Sequence, residues 1–275
     1  MTTDRSGTSA WRKPALEELG VDLLAVGKWE RAWSLMLPFG FVAGFFAAGA
    51  QGWWPVALGC AMGHAFCTYG SVSHDLVHRT LRLPQWLNET LLVLIELSGF
   101  RSGHAYRATH LHHHQRYPQE DDVEARTARL GLLRTLLDGV MTQPRLWWWA
   151  LRRSQGKIRT SILAEGLVAA GLVAACVLAW PVSRLPAAYA ALTIAGSWLF
   201  PLITVFIPHR AKGATALEQT RWFGGRVLSL LAFDHLYHLE HHLYPQVPHH
   251  RWALLSRRLA PHLAACGLKP IMLWK

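Results

Sequence analysis

Four mostly apolar stretches, at 32–50, 55–73, 161–180 and 185–207, constrain this chain more than any other feature. Each is about 20 residues long, and at 1.5 Å per residue a helix of that length covers a hydrocarbon core of about 30 Å. A backbone in lipid has no water to bond, so such a run must close its own hydrogen bonds as a helix. The predicted fold is therefore all-α and integral to a membrane, with four transmembrane helices in two hairpins. Gln51-Gly52-Trp53-Trp54 makes the first turn with interfacial aromatics, and Pro181 to Pro186 makes the second. Residues 1–30 read as a polar to amphipathic N-terminal segment, 31–260 as the membrane domain and 261–275 as a C-terminal tail.

Charge orients the hairpins. The net charge of +11 would also suit a nucleic-acid-binding protein, but its placement argues otherwise. Thirteen Lys and Arg fall between Arg79 and Arg159 and nine follow His209, whereas Arg184 is alone in the short connections between apolar runs. That asymmetry is the positive-inside pattern. Cys60, Cys67, Cys176 and Cys266 show no CxxC spacing and suggest neither a disulfide framework nor a thiolate metal site. Residues 1–30 mix five acidic with four basic side chains and lack an apolar core, so no cleavable signal peptide is expected.

Between the hairpins, 90–100 is apolar but too short to span and is predicted as a buried or re-entrant helix. Segments 131–140 and 146–151, the latter with Trp147-Trp148-Trp149, are predicted as two helices lying in the interface.

Three histidine blocks lie beside the apolar runs. His74 and His78 are one helical turn apart, and His110, His113 and His114 repeat at i, i+3 and i+4, as do His238, His241 and His242. On a helix each set shares one face. One HxxxH pair is weak evidence, but three such blocks read as a shared metal cage. Two hairpins, each out and back, also return all three blocks to the same basic side.

HDLVH at 74–78, HLHHH at 110–114 and HLEHH at 238–242, the last continuing into LYPQVPHH, resemble the membrane fatty-acid desaturase and hydroxylase superfamily. Ser102-Gly103-His104-Ala105-Tyr106-Arg107 and the HHLYPQVPHH run are similar to small bacterial desaturase-like proteins and carotenoid hydroxylases. The resemblance covers about residues 70–255. It implies two non-haem irons, O2 as co-substrate, and a cytoplasmic helical cap that holds the metals, at a bacterial inner membrane. By the same resemblance His74, His78, His110, His113, His114, His238, His241 and His242 are iron ligands. A ninth ligand is expected: His209 matches the family's additional histidine, and His235, a turn before His238, is the alternative.

The remaining polar groups carry weaker expectations. His112 is off the ligand face and His104 likewise, His64 lies mid-membrane, and His249, His250 and His262 sit in the basic tail, where surface roles are commoner. Ligating imidazoles commonly donate their other N–H to a carboxylate, and Asp75 and Glu240 are the leading candidates, with Asp121, Asp122 and Asp234 also in reach. The resemblance implies that a long-chain lipid from the bilayer is desaturated or hydroxylated, with acyl chains ahead of a β-carotene-type hydroxylase or ketolase substrate. No fused haem or iron-sulfur donor is visible, so a separate electron donor such as a ferredoxin is expected on the basic face. The rival classes are a membrane zinc hydrolase, which would want HExxH, and a bis-histidine haem electron carrier.

Overall fold

The computed structural model describes residues 11–225 and 234–273, so part of the expected 1–30 segment and of the 261–275 tail lies outside the described residues. The chain is mostly helical. A short helix α1 (Leu16–Leu19) leads into α2 (Lys28–Ala50), which turns at Gln51–Trp53 into α3 (Trp54–Cys67). The helix continues through a π-helical stretch, Thr68–Val72, into α4 (Ser73–His78), which ends at Arg79 in a left-handed conformation, φ 58°. Then follow α5 (Gln85–Ser98), α6 (Gly103–Arg116), α7 (Leu132–Arg153), α8 (Gly156–Leu178) and α9 (Leu185–Ser197), the last running on through a π-helical stretch, Pro201–Phe206. A short α10 (Ala216–Gln219) precedes α11 (His238–Leu243) and α12 (Trp252–Ala265). Phe223–Gly224 and Ile271–Met272 pair as a two-residue parallel ladder.

Local sequence explains the boundaries. Pro55 and Pro186 stand in the first turns of α3 and α9, where a missing N–H loses nothing. Ser102 caps α6 by accepting from Ala105 N at 3.1 Å. Gly103 is needed there because a Cβ would come within 2.9 Å of the Leu92 carbonyl oxygen, so α5 and α6 can approach only with glycine at this position.

Among the described residues, three helices are long and apolar enough to cross a membrane: 21–50, 156–178 and 185–206. The stretch expected as the second span, 55–73, is helical throughout but is interrupted by His64, Thr68 and Ser71, all of which are buried. The two interface helices expected at 131–140 and 146–151 are one continuous helix, α7, which carries Pro144 in its interior. Proline there forfeits only the single bond to the carbonyl four residues back, and packing of the helix outweighs that loss.

Burial along α7 is inverted relative to a water-soluble helix. Leu133, Leu137 and Met141 are exposed while Thr135, Gly139 and Thr142 face inward. Exposed Leu167, Val168, Val177 and Leu178 do the same on α8. Large apolar side chains turned outward over this extent suit a lipid environment.

The other end of the molecule is a helical cap with a core of its own. Leu19 and Leu23 pack with Leu239, Leu243, Tyr244, Leu255, Leu259 and Leu263. Polar contacts stitch the N-terminal segment to it: Tyr244 OH donates to Pro14 O at 2.7 Å, and Arg258 holds Leu19 O and Asp22.

Candidate metal centre

Helices α4, α6 and α11 and the end of the last apolar helix bring nine histidines into two adjoining groups. His74, His78, His110, His114 and His241 form one, and His113, His209, His238 and His242 form the other; within each, the candidate ligand atoms lie within 4.8 Å of one another. The groups meet where the His114 and His242 rings stand 4.6 Å apart. The i, i+3, i+4 spacing on α6 splits its ligands, with His110 and His114 in the first group and His113 in the second. His209 follows the last apolar helix and joins the second group. His235 belongs to neither group: α11 begins only at His238, and the His235 ring instead lies over Gly70 and against Phe66.

The hydrogen bonds fit a bound cation. His110 Nδ1 donates to Glu124 at 3.0 Å, His113 Nδ1 to Asp122 at 2.7 Å, and His209 Nδ1 to the Val205 carbonyl at 3.1 Å. Each of these partners only accepts, so the proton sits on Nδ1 and the neutral ring turns a lone pair outward on Nε2. The Nε2 atoms of His209, His238 and His242 form a triangle with sides of 3.2, 3.2 and 3.0 Å. An imidazole nitrogen is either a donor or an acceptor, so three in a triangle cannot all be paired by hydrogen bonds. A metal ion satisfies all three lone pairs together. In the first group His241 Nε2 approaches His74 Nε2 at 2.9 Å and His114 Nε2 at 2.7 Å. His78 Nε2 and His113 Nε2 are buried with no hydrogen-bond partner among the described residues.

Electrostatics agree with ligation. Burial, reinforced by neighbouring imidazoles, holds His74, His114, His241, His238, His242 and His209 well below the usual histidine range. Burial likewise takes His78 down to about 2. These rings stay neutral, the state in which imidazole binds metal. His113 goes the other way: burial lowers its pKa, but the hydrogen bond it donates to Asp122 and the charges of Glu124 and Asp122 raise it overall. The carboxylates that favour a proton there favour a cation at Nε2 for the same reason.

The other candidates distribute differently. Asp75 is fully buried, and its oxygens accept from His249 N at 3.0 Å and from His249 Nδ1 at 2.6 Å rather than from a box histidine. Glu240 is fully buried and belongs to neither histidine group, and burial pushes its pKa up to about 7. Asp121 pairs with Arg116 and approaches His112 at 3.8 Å. Burial pushes Asp234 up to about 6. His104 pairs with Glu165, His64 bonds Ser98 at 2.8 Å, His250 approaches Glu30 at 3.5 Å, and His262 is exposed.

Glu124, the partner of His110, escaped the sequence reading because it sits 14 residues away beyond a loop; its one signal was its nearness to Asp122. Trp252, whose ring lies 5.3 Å from that of His74 and 5.2 Å from that of His241, left no signal at all. Partners of ligating histidines typically contribute 10–100-fold to metal affinity. Asp122→Asn and Glu124→Gln are each expected to weaken metal binding by about that factor, measured by competition against a chelator; affinity equal to the parent's would remove their orienting role.

Helices long and apolar enough to cross a membrane, beside two histidine groups that could each hold a metal ion, point to a metal-dependent membrane protein. Residues 51–273 match the fatty acid desaturase family, and the chain belongs to that family. Comparison with curated proteins finds no match.

Proposed function

We propose that this chain is an O2-dependent di-iron oxidoreductase that removes hydrogen from a long-chain lipid, acyl chains ahead of carotenoids, and ends in an alkene or an alcohol. The observation that carries the reading is the pair of adjoining histidine groups, largely buried and partly tautomer-locked, in a member of the fatty acid desaturase family. His74, His78, His110, His114 and His241 would hold one iron and His113, His209, His238 and His242 the other. When bound, the irons supply the O2 activation needed to attack an unactivated C–H bond.

The protein's own part is to orient and to exclude water. Asp122 and Glu124 fix the tautomers of His113 and His110. Tyr69 and Tyr106 stack with centroids 4.5 Å apart and line both a small pocket of about 20 Å³ beside His74, His110, His238 and His241 and an apolar cavity of about 610 Å³. The lipid chain is placed in the larger cavity, with its reacting carbon reaching the metals past this tyrosine pair.

The topology belongs to the same proposal. The 54–72 helix is the fourth span, the histidines face the cytoplasm of a bacterial inner membrane, and an acidic electron donor of the ferredoxin kind docks on the basic face. Elemental analysis of protein purified in mild detergent is expected to find about two irons per chain, with lipid-dependent O2 uptake. Imidazole also suits zinc, and zinc without O2 uptake, or a haem absorption band, would overturn the reading.

A further inference from the structure

The 610 Å³ cavity lies within the range of about 300–1,000 Å³ usual for ligand sites, and most of its wall is apolar, from Phe100, Leu146, Trp147, Leu167, Val173 and Ile194. Arg101 breaks that pattern. It lines the cavity, is 6% exposed, and sits in the connection between α5 and α6, where a buried charge is costly unless paired. Its pairing is nearly complete. Nε donates to Glu96 Oε2 at 2.7 Å, and Nη2 donates to Glu96 Oε1 at 3.3 Å and to Thr68 Oγ1 at 2.9 Å. Nη1 has no hydrogen-bond partner among the described residues. It lies beside Gly99, itself a lining residue, where a Cβ would come within 2.7 Å of it. A second donor among the lining residues, the side-chain nitrogen of Gln143, is also buried and has no hydrogen-bond partner among the described residues.

Two unpartnered donors on an apolar wall call for an acceptor carried by the ligand, because a buried donor left unpaired is costly. The charge balance narrows that acceptor. Glu96 is 0% exposed and already neutralises Arg101, so a carboxylate brought alongside would leave one buried negative charge in excess. A hydroxyl, ketone or ester carbonyl oxygen satisfies the donors without that excess.

We infer that the lipid held in this cavity carries a neutral oxygen, received by Arg101 Nη1 and Gln143 Nε2, and that these residues select an oxygen-bearing lipid over a plain hydrocarbon or a free fatty acid. The inference rests on the lipid-oxidising reading above. Arg101 and Gln143 act in substrate recognition and take no part in holding metal.

Binding tests it without turnover. Metal-loaded protein in lipid nanodiscs is titrated with brominated octadecanol, octadecane and octadecanoate. Bromine quenching of Trp147 on the cavity wall is read as the difference from Trp147→Phe. One neutral hydrogen bond gained is expected to make the alcohol bind about tenfold tighter than the hydrocarbon, with the carboxylate no tighter than the hydrocarbon. Gln143→Leu is expected to reduce that preference. Arg101→Gln combined with Glu96→Gln, which removes the charge pair as a unit, is expected to reduce it further, with hydrocarbon affinity unchanged in both.

Equal affinity of alcohol and hydrocarbon, the outcome if water alone meets these donors, would overturn the inference. So would tighter binding of the carboxylate, or a preference that survives both variants. Preference without iron or O2 uptake would sink the oxidase reading alone; iron and lipid-dependent O2 uptake without preference would sink this inference alone.

Discussion

His241→Ala is expected to lower the metal content from about two per chain to about one and to reduce lipid-dependent O2 uptake more than a hundredfold, beyond the 10–100-fold typical of groups that merely support a ligand. His241 is the hub of the first group. Its Nε2 stands 2.9 Å from that of His74 and 2.7 Å from that of His114, and its ring centroid lies 4.9 Å from that of His78. Removing it takes away one of five nitrogens and opens space among the other four. His209→Ala should empty the second group in the same way, since two sides of the nitrogen triangle end on it. His235→Ala should keep both metals, because His235 lies in neither group. Elemental analysis on folded variants decides: full metal content in His241→Ala, or metal loss in His235→Ala with His209→Ala intact, would mean that the ligand set is drawn wrongly.

The arrangement was legible in the sequence wherever it depends on local spacing. The i, i+3, i+4 pattern at 110–114 and 238–242 predicts a shared helix face, and α6 and α11 supply those helices. Hydropathy likewise marks 32–50, 161–180 and 185–207 as apolar spans, and the long apolar helices at 21–50, 156–178 and 185–206 overlap them. What depends on the folded chain was not legible. Periodicity could not tell that α7 runs unbroken through Pro144, since the outcome depends on packing around one missing hydrogen bond. Asp75 was expected to orient a box histidine because those were its neighbours in sequence, yet its hydrogen bonds go to His249, 174 residues on. His249, expected at the surface, is drawn inward by that same pairing. The sequence assigns no role to Arg101 and Glu96, which the fold joins as a buried ion pair with Arg101 lining the apolar cavity.

The Asp75 and His249 pairing carries the second large effect, this time on stability. Asp75, on α4 between the first ligand and the rest of its box, is fully buried, and His249 supplies both of its hydrogen bonds. His249→Ala leaves the backbone N–H in place but removes the imidazole, stranding a buried carboxylate. Breaking one partner of a buried ion pair costs about 3–5 kcal/mol, and the surviving backbone bond places the expected loss near the lower figure. The pH dependence has a definite sign. Burial lowers the pKa of His249, but Asp75, by charge and hydrogen bond, raises it above the usual histidine value overall. A raised folded-state pKa means that the stabilisation is complete below the ordinary histidine range and fades as pH rises through the folded value. The gap in unfolding free energy between parent and His249→Ala should therefore be largest in mildly acid solution and shrink toward alkaline pH. Asp75→Asn added to His249→Ala should restore part of the loss, since a neutral amide tolerates burial better than an unpaired charge. Thermal unfolding of metal-free protein reads this pair without the metals' own contribution. A gap that widens with pH, or a double variant no more stable than His249→Ala, would show that the cap is held to α4 by something other than this ion pair.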